Sequence, residues 1–186
     1  MLHLWSEIST RLIYAGRVFS VLQSVRRSPS SGREFPFDII QSADWVNVIA
    51  LTDAGRVVLI RQYRAGTRGI TLEIPGGTVD EGETALEAAR RELSEETGYE
   101  ADTWEVIGRV EPNPAFQTNS TFTFLARNAR RTQSQRFDDT ELVEVEERGV
   151  DKIAALIRDG TIAHALVVCA FFHLANRGLT RVDGRN

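Results

Sequence analysis

Residues 77–99 read GTVDEGETALEAARRELSEETGY, and this stretch decides the fold. Its middle predicts a helix over about 84–97. Thr84 followed three positions on by Glu87 is a reciprocal capping pattern: the hydroxyl accepts from a backbone N–H and the carboxylate reaches back to another. Gly98 stands where a helix ends in a left-handed residue. Leu86, Ala89 and Leu93 fall on one side at helical spacing and need an apolar surface such as a sheet to cover them. Glu92, Glu95 and Glu96, at i, i+3 and i+4, share one face beside that stripe. Three carboxylates held so close repel one another unless a cation neutralises them, and hard oxygen ligands on a rigid helix suit Mg²⁺ or Mn²⁺. The same spacing is also that of a solvated acidic face paired with Arg90 and Arg91.

Upstream of the helix, residues 70–74 read as a strand ending at Pro75-Gly76-Gly77. Before it, 45–51 and 57–60 are β-rich runs around the turn Thr52-Asp53-Ala54-Gly55, a hairpin pattern. The runs 12–14, 18–25 and 35–40, split by Gly16 and by the turn-rich 28–32, predict a small antiparallel sheet ahead of the main domain. Downstream, strands are expected at 104–110 and 121–126 around a loop at 111–119. A polar loop at 127–139, a strand at 142–145 and helices at 150–158 and 164–176 follow. Mixed order rather than regular βαβ alternation argues for an α+β chain with helices packed on a mixed sheet. The expected division is an N-terminal antiparallel sheet over residues 1–42 and a main domain over 43–186.

With 186 residues, 42% of them hydrophobic, the chain can bury one full core and a small appended unit. Its 26 acidic and 22 basic residues, a net charge of −4, argue against sequence-independent binding to nucleic acid. Cys169 is the single cysteine, which excludes intrachain disulfides and a cysteine zinc cluster and fits a reducing cytoplasm. It reads as a buried small hydrophobe. The opening residues lack the pattern of a secretory signal, and the longest apolar stretch, 163–175, is interrupted by His164 and His173 and is too short to span a bilayer, so no membrane association is expected. Those two histidines, nine positions apart, do not share a helix face as metal ligands. Arg127, Arg130, Arg131 and Arg136 form a basic loop that either binds phosphate or is simply solvated.

The stretch 77–99 resembles the signature box of the Nudix hydrolases, G-x5-E-x7-R-E-U-x-E-E-x-G-U with U aliphatic. Gly77, Glu83, Arg91, Glu92, Leu93, Glu95, Glu96 and Gly98 all stand on their required positions, and Tyr99 departs from the last aliphatic one. The resemblance runs from about Trp45 to about Phe172. It implies an α/β/α sandwich with a mixed sheet. It also implies metal ligation by Glu92 and Glu96, with Glu95 a further ligand or water-orienting carboxylate and the Gly76 carbonyl a backbone ligand. Glu83 and Arg91 are implied as a structural pair, and the Gly76-Gly77 loop as the place where backbone approaches phosphate. Two or more Mg²⁺ ions, with Mn²⁺ as a substitute, and hydrolysis of a nucleoside diphosphate linked to another group complete the implication.

Within that family the chain is similar to the branch acting on ADP-ribose and nucleoside diphosphate sugars. Arg61-Gln62-Tyr63-Arg64 followed by Leu72-Glu73-Ile74-Pro75-Gly76-Gly77 is similar to two of its elements, and Pro114, fifteen residues beyond Tyr99, stands about where that branch carries a proline. Arg64 then contacts phosphate or ribose, or else pairs with Glu73. Glu73, Thr78 and Pro114 are further expected substrate contacts, Pro114 being equally readable as loop punctuation. Phe116 stacks on a base or packs in the core, and Gln117 or Asn119 bonds a sugar. Trp45, with Phe35 and Phe37, forms a base-stacking wall or is simply packed. Glu141, in an acidic loop, matches the position of the branch's catalytic base, or is one carboxylate of a solvated acidic loop. The N-terminal sheet is implied to form a homodimer whose partner completes the site. Rival readings are a hydrolase of nucleoside triphosphates or dinucleoside polyphosphates, and a non-catalytic ADP-ribose sensor.

Overall fold

A computed structural model describes residues 3–136 and 142–178. The chain forms two compact units: the N-terminal stretch to Asp44 together with Glu111–Ser120, and Trp45–Val110 together with the stretch from Thr121 onward.

The first unit is a three-stranded antiparallel sheet, β1 (Ser6–Ala15), β2 (Phe19–Arg27) and β3 (Glu34–Ser42), in that order. It answers the β-rich runs of the N-terminal sequence. Trp5 packs edge-on against Phe35 and Phe37, with centroids 5.8 and 5.3 Å away. The segment 111–120 joins this unit through backbone bonds: Ile40 N–H donates to the Phe116 carbonyl at 2.7 Å, and Thr118 N–H to the Ile40 carbonyl at 3.1 Å. Ser120 N–H donates to the Asp44 carboxylate at 2.7 Å. A segment that the linear sequence places inside the main domain thus extends the edge of the N-terminal sheet.

The second unit is a mixed sheet in the order β12-β5-β4-β10-β9. Its strands are β4 (Trp45–Leu51), β5 (Arg56–Arg64), β6 (Gly69–Glu73), β7 (Gly76–Thr78), β9 (Thr103–Val110), β10 (Thr121–Arg127) and β12 (Val143–Gly149). β10 runs parallel to β4 and the other pairings are antiparallel. Helix α1 (Ala85–Thr97) packs on one face, and α2 (Ile153–Arg158) and α3 (Ala165–Ala175) on the other. Strand residues alternate between the two faces. Val46, Val48, Ala50, Val58 and Phe124 pack with Ala88, Ala89 and Leu93 of α1. Ile49, Val57, Leu59 and Leu125 pack with Ile153, Val167, Phe171 and Leu174. A sheet covered on both faces needs apolar side chains at successive positions, which is why β4 and β5 read as near-continuous apolar runs. This is the expected mixed sheet with helices on both faces.

Long-range pairing departs from the linear reading in two places. The expected hairpin of β4 and β5 is joined at Leu51 and Val57, but beyond that point the strands part. β6 then pairs with β5, and β7 with β4. The Pro75 carbonyl, accepting from Val48 N–H at 2.8 Å, closes the join between them. The polar loop contains a short strand, β11 (Arg130–Arg131), paired with β8 (Tyr99–Glu100). Cys169, expected to be buried, is half-buried on α3. Among the described residues no helix is long and apolar enough to cross a membrane.

Candidate active site

α1 forms as its sequence dictates. Thr84 Oγ1 accepts from Glu87 N–H at 3.2 Å, Glu87 accepts from Thr84 N–H at 2.8 Å, and Gly98 closes the helix at φ +73°. This places Glu92, Glu95 and Glu96 in the last two turns, close to the negative end of the helix dipole, with no basic side chain in the last turn. Carboxylates are disfavoured there, so the arrangement holds only with donors or cations supplied from elsewhere.

Arg91 supplies much of that charge. Its guanidinium donates to both Glu83 carboxylate oxygens at 3.0 and 2.9 Å and to Glu92 at 2.8 Å. It also donates to Glu95 at 3.3 Å and to the Thr78 carbonyl at 2.9 Å, and Asp80 lies 3.7 Å away. Hydrogen bonds to Glu83, outweighing burial, hold Arg91 above its ordinary range. Reciprocally, hydrogen bonds from Arg91 pull Glu83 below the usual carboxylate range, against a smaller upward push from burial. The Glu83–Arg91 pair therefore joins the loop before α1, the strand β7 and the helix.

Gly76 and Gly77 differ from the expected loop: with Thr78 they form strand β7, opposite Asn47, Val46 and Trp45. They are glycines because of what lies against them. A Cβ on Gly76 would overlap the Val46 backbone carbonyl, and one on Gly77 would overlap the Glu92 carboxylate. Gly76 N–H donates to Glu96 Oε2 at 2.9 Å, which anchors the buried Glu96 side chain to the strand. The carboxylates of Glu92 and Glu95 are thus drawn to Arg91, and that of Glu96 to β7. Among the described residues no three His, Cys, Asp or Glu side chains converge as a ligand set. The chemistry of the donors still fits a hard divalent cation: carboxylate oxygens have several lone pairs each, and those of this face already seek positive charge.

The remaining expected residues divide. Arg64 and Glu73 form a two-bond ion pair, Nε to Oε1 and Nη2 to Oε2, both at 2.8 Å. Glu73 is only 3% exposed; burial pushes its carboxyl up, but hydrogen bonds from Arg64 and Thr71 and the Arg64 charge leave it below the ordinary value. Of the two readings of Arg64, the structure shows the pairing with Glu73. His164 approaches the same carboxylate at 4.0 Å. Trp45 is half-buried at the start of β4, while Phe35 and Phe37 face Trp5. Pro114 is exposed in a turn, and Phe116, readable as a core residue, is 41% exposed. Asn119 is only 3% exposed, and its side-chain nitrogen and oxygen have no hydrogen-bond partner. Glu141 lies outside the described residues. Tyr99 fills its aliphatic position in the α1-side core and donates its hydroxyl to Glu147 at 2.6 Å. Burial and that bond push the phenol up to about 12. Thr71, Asn47 and Gln135 also serve this region; isolated polar residues in strands and loops carry no sequence signal of it.

Comparison with known proteins agrees with this geometry. The NUDIX domain model matches residues 42–171. The chain is 29% identical over 168 residues to a methanol dehydrogenase activator of Bacillus methanolicus, covering 90% of both chains. It shows the same identity and coverage with an ADP-ribose pyrophosphatase of Bacillus subtilis strain 168. A crystal structure of an ADP compounds hydrolase superposes with a TM-score of 0.83 at 22% identity, covering 96% of this chain and 98% of that one, and so shares its fold. With its glycine strand, capped helix, Glu83–Arg91 brace and carboxylate face, the chain belongs to the NUDIX domain family.

Proposed function

We propose that this chain hydrolyses the pyrophosphate bond of a nucleoside diphosphate sugar, with ADP-ribose as the model substrate, to a nucleoside monophosphate and a sugar phosphate. The observation that carries this reading is the carboxylate face of α1 held against β7, with Glu96 bonded to Gly76 N–H and Arg91 joining Glu83, Glu92 and Glu95. The name of the Bacillus subtilis relative supports the substrate class.

In this reading Glu92, Glu95, Glu96 and the Gly76 carbonyl hold Mg²⁺ or Mn²⁺, in two or more ions. Such ions, when bound, neutralise pyrophosphate charge and acidify an attacking water. The chain's own residues do the rest. Gly76 and Gly77, without side chains, let β7 lie against β4 and the Glu92 carboxylate, and the backbone of this stretch is proposed to approach phosphate. Arg91 keeps the carboxylates of Glu92 and Glu95 aligned. Water oxygen adds to one phosphorus, the anhydride P–O bond breaks, and Glu141 takes the proton. Arg64, Glu73, Thr78, Pro114, Phe116, Asn119 and Trp45 are proposed around the substrate, with Arg64 turning to phosphate or ribose or acting as a brace for Glu73.

We also propose a homodimer through the N-terminal sheet. β1 is exposed along its whole length, Leu12 and Tyr14 by 59% and 56%, and a bare apolar edge strand is a surface that pairing would cover. A cytoplasmic location and no nucleic-acid partner belong to the same proposal, supported by the single cysteine and the net charge of −4.

The test is Mg²⁺-dependent product release from ADP-ribose, ADP-glucose, GDP-mannose, UDP-glucose, dinucleoside polyphosphates and nucleoside triphosphates, followed by chromatography. Monophosphate plus sugar phosphate is expected from the diphosphate sugars, falling roughly 100-fold or more in Glu96→Gln, about 2.7 kcal/mol of barrier. Turnover confined to triphosphates or dinucleosides overturns the substrate class. Undiminished turnover in Glu96→Gln overturns the site.

A further inference from the structure

The five residues Thr132 to Arg136 lie along the C-terminal end of α1. Thr132 and Gln133 N–H donate to the Gly98 carbonyl at 2.9 and 3.2 Å, and Arg136 N–H donates to the Glu95 carbonyl at 2.9 Å. The Gln133 side chain bonds the Ser94 hydroxyl. Gln135 Nε2 donates to the Glu96 carbonyl at 2.6 Å and to the Val143 carbonyl at 3.2 Å. The last carbonyls of a helix have no partners within it. Here they are bonded from a loop more than thirty residues away in sequence, and at the end of the helix that carries the carboxylates.

Gln135 differs from its neighbours in what it joins. One amide nitrogen ties the backbone of Glu96 to the first residue of β12, while the Glu96 carboxylate is tied to Gly76 N–H. Glu96 is therefore fixed at both ends, side chain to β7 and main chain to β12. From this geometry we infer that Gln135 is a positioning residue for the cation-binding face: its side-chain amide sets the place of the last turn of α1, and with it the aim of Glu95 and Glu96. The inference rests on the proposed role of those carboxylates. Removing a polar support one step behind a metal ligand weakens metal affinity or activity by about 10–100-fold, and the lower end applies to a support acting through the backbone.

The experiment compares the wild type with Gln135→Leu, which has no donor, and Gln135→Lys, which keeps one. Gln135→Glu, similar in size and without the donor, replaces the leucine variant should that one not fold. Mn²⁺ affinity is measured without substrate by electron paramagnetic resonance, beside kcat, KM and Tm. The expected result for Gln135→Leu is about 10-fold weaker Mn²⁺ binding and a similar loss in kcat, with KM within about twofold, largely restored in Gln135→Lys. A lowered Tm with unchanged Mn²⁺ affinity and kcat overturns the inference and leaves a purely structural bond. Glu96→Gln separates the two levels: a wild type whose Mn²⁺ affinity does not depend on Glu96 refutes the proposed metal site and this inference with it. A Glu96-dependent affinity that Gln135→Leu leaves intact refutes this inference alone.

Discussion

Replacing Arg91 by Met tests the charge balance of the site most directly. The change keeps most of the aliphatic stem and removes a guanidinium that donates to Glu83, Glu92, Glu95 and the Thr78 carbonyl. The Glu83 and Glu92 side chains are only 16% and 13% exposed, so water replaces the lost donors poorly. Removing one partner of a buried pair costs about 3–5 kcal/mol, and because Arg91 itself is 28% exposed the lower figure of about 3 applies. For a chain of this length that is a fall in Tm of roughly 6–12 °C, measured by circular dichroism at pH 7. The deficit has a defined pH dependence. In the wild type Glu83 titrates below its ordinary value of 4.5 because of Arg91. The stability it contributes is therefore complete above that value and is lost as pH falls through the folded-state value. The difference between wild type and variant should accordingly be full at pH 7 and shrink in acid. Mg²⁺ should raise the Tm of the variant more than that of the wild type, since it finds carboxylates without their guanidinium. A Tm within about 2 °C of wild type, or a deficit that grows in acid, would refute the assignment of Arg91 as the charge that holds this face together.

Three further outcomes are expected. Gly76→Ala places a methyl into the Val46 backbone carbonyl, so β7 must move off β4; a loss of roughly 1–3 kcal/mol in urea unfolding is expected, and an unchanged midpoint would show that the strand yields freely. Arg64→Ala leaves Glu73 buried with Thr71 as donor and His164 nearby, and without the bond and charge of Arg64 its carboxyl is no longer held as far down against burial. The variant should lose about 1.5–3 kcal/mol at pH 7 and less at pH 4; an equal loss at both pH values would contradict the ion pair as the source. Tyr99→Phe removes the hydroxyl from Glu147 while keeping the ring in the core, for a loss of about 1–2 kcal/mol in thermal unfolding. That variant should hydrolyse normally, and a large loss of turnover would give Tyr99 more than a packing role.

Much of this protein is legible because it depends on neighbours in sequence. The cap at Thr84 and Glu87, the stop at Gly98 and the shared face of Glu92, Glu95 and Glu96 follow from helical spacing alone, and they appear in the structure as read. So do the β-rich runs of β4 and β5, whose apolar side chains the structure buries on both faces of the sheet. Pairing across long separations obeys no such local rule. That β6 and β7 enter between β5 and β4, that residues 111–120 extend the N-terminal sheet, and that β11 meets β8 depend on which backbone groups find partners after collapse. The same division runs through the site. The identity of its carboxylates lies in their spacing, but their environment belongs to the tertiary structure. Arg64 is bound to Glu73 rather than held open, Phe116 is exposed and Asn119 buried, and Tyr99 stands in an aliphatic position because Glu147, forty-eight residues on, accepts its hydroxyl. A helix repeats every few residues and so is written in its own stretch of chain; burial and partnership are settled by segments that meet only once the whole chain has folded.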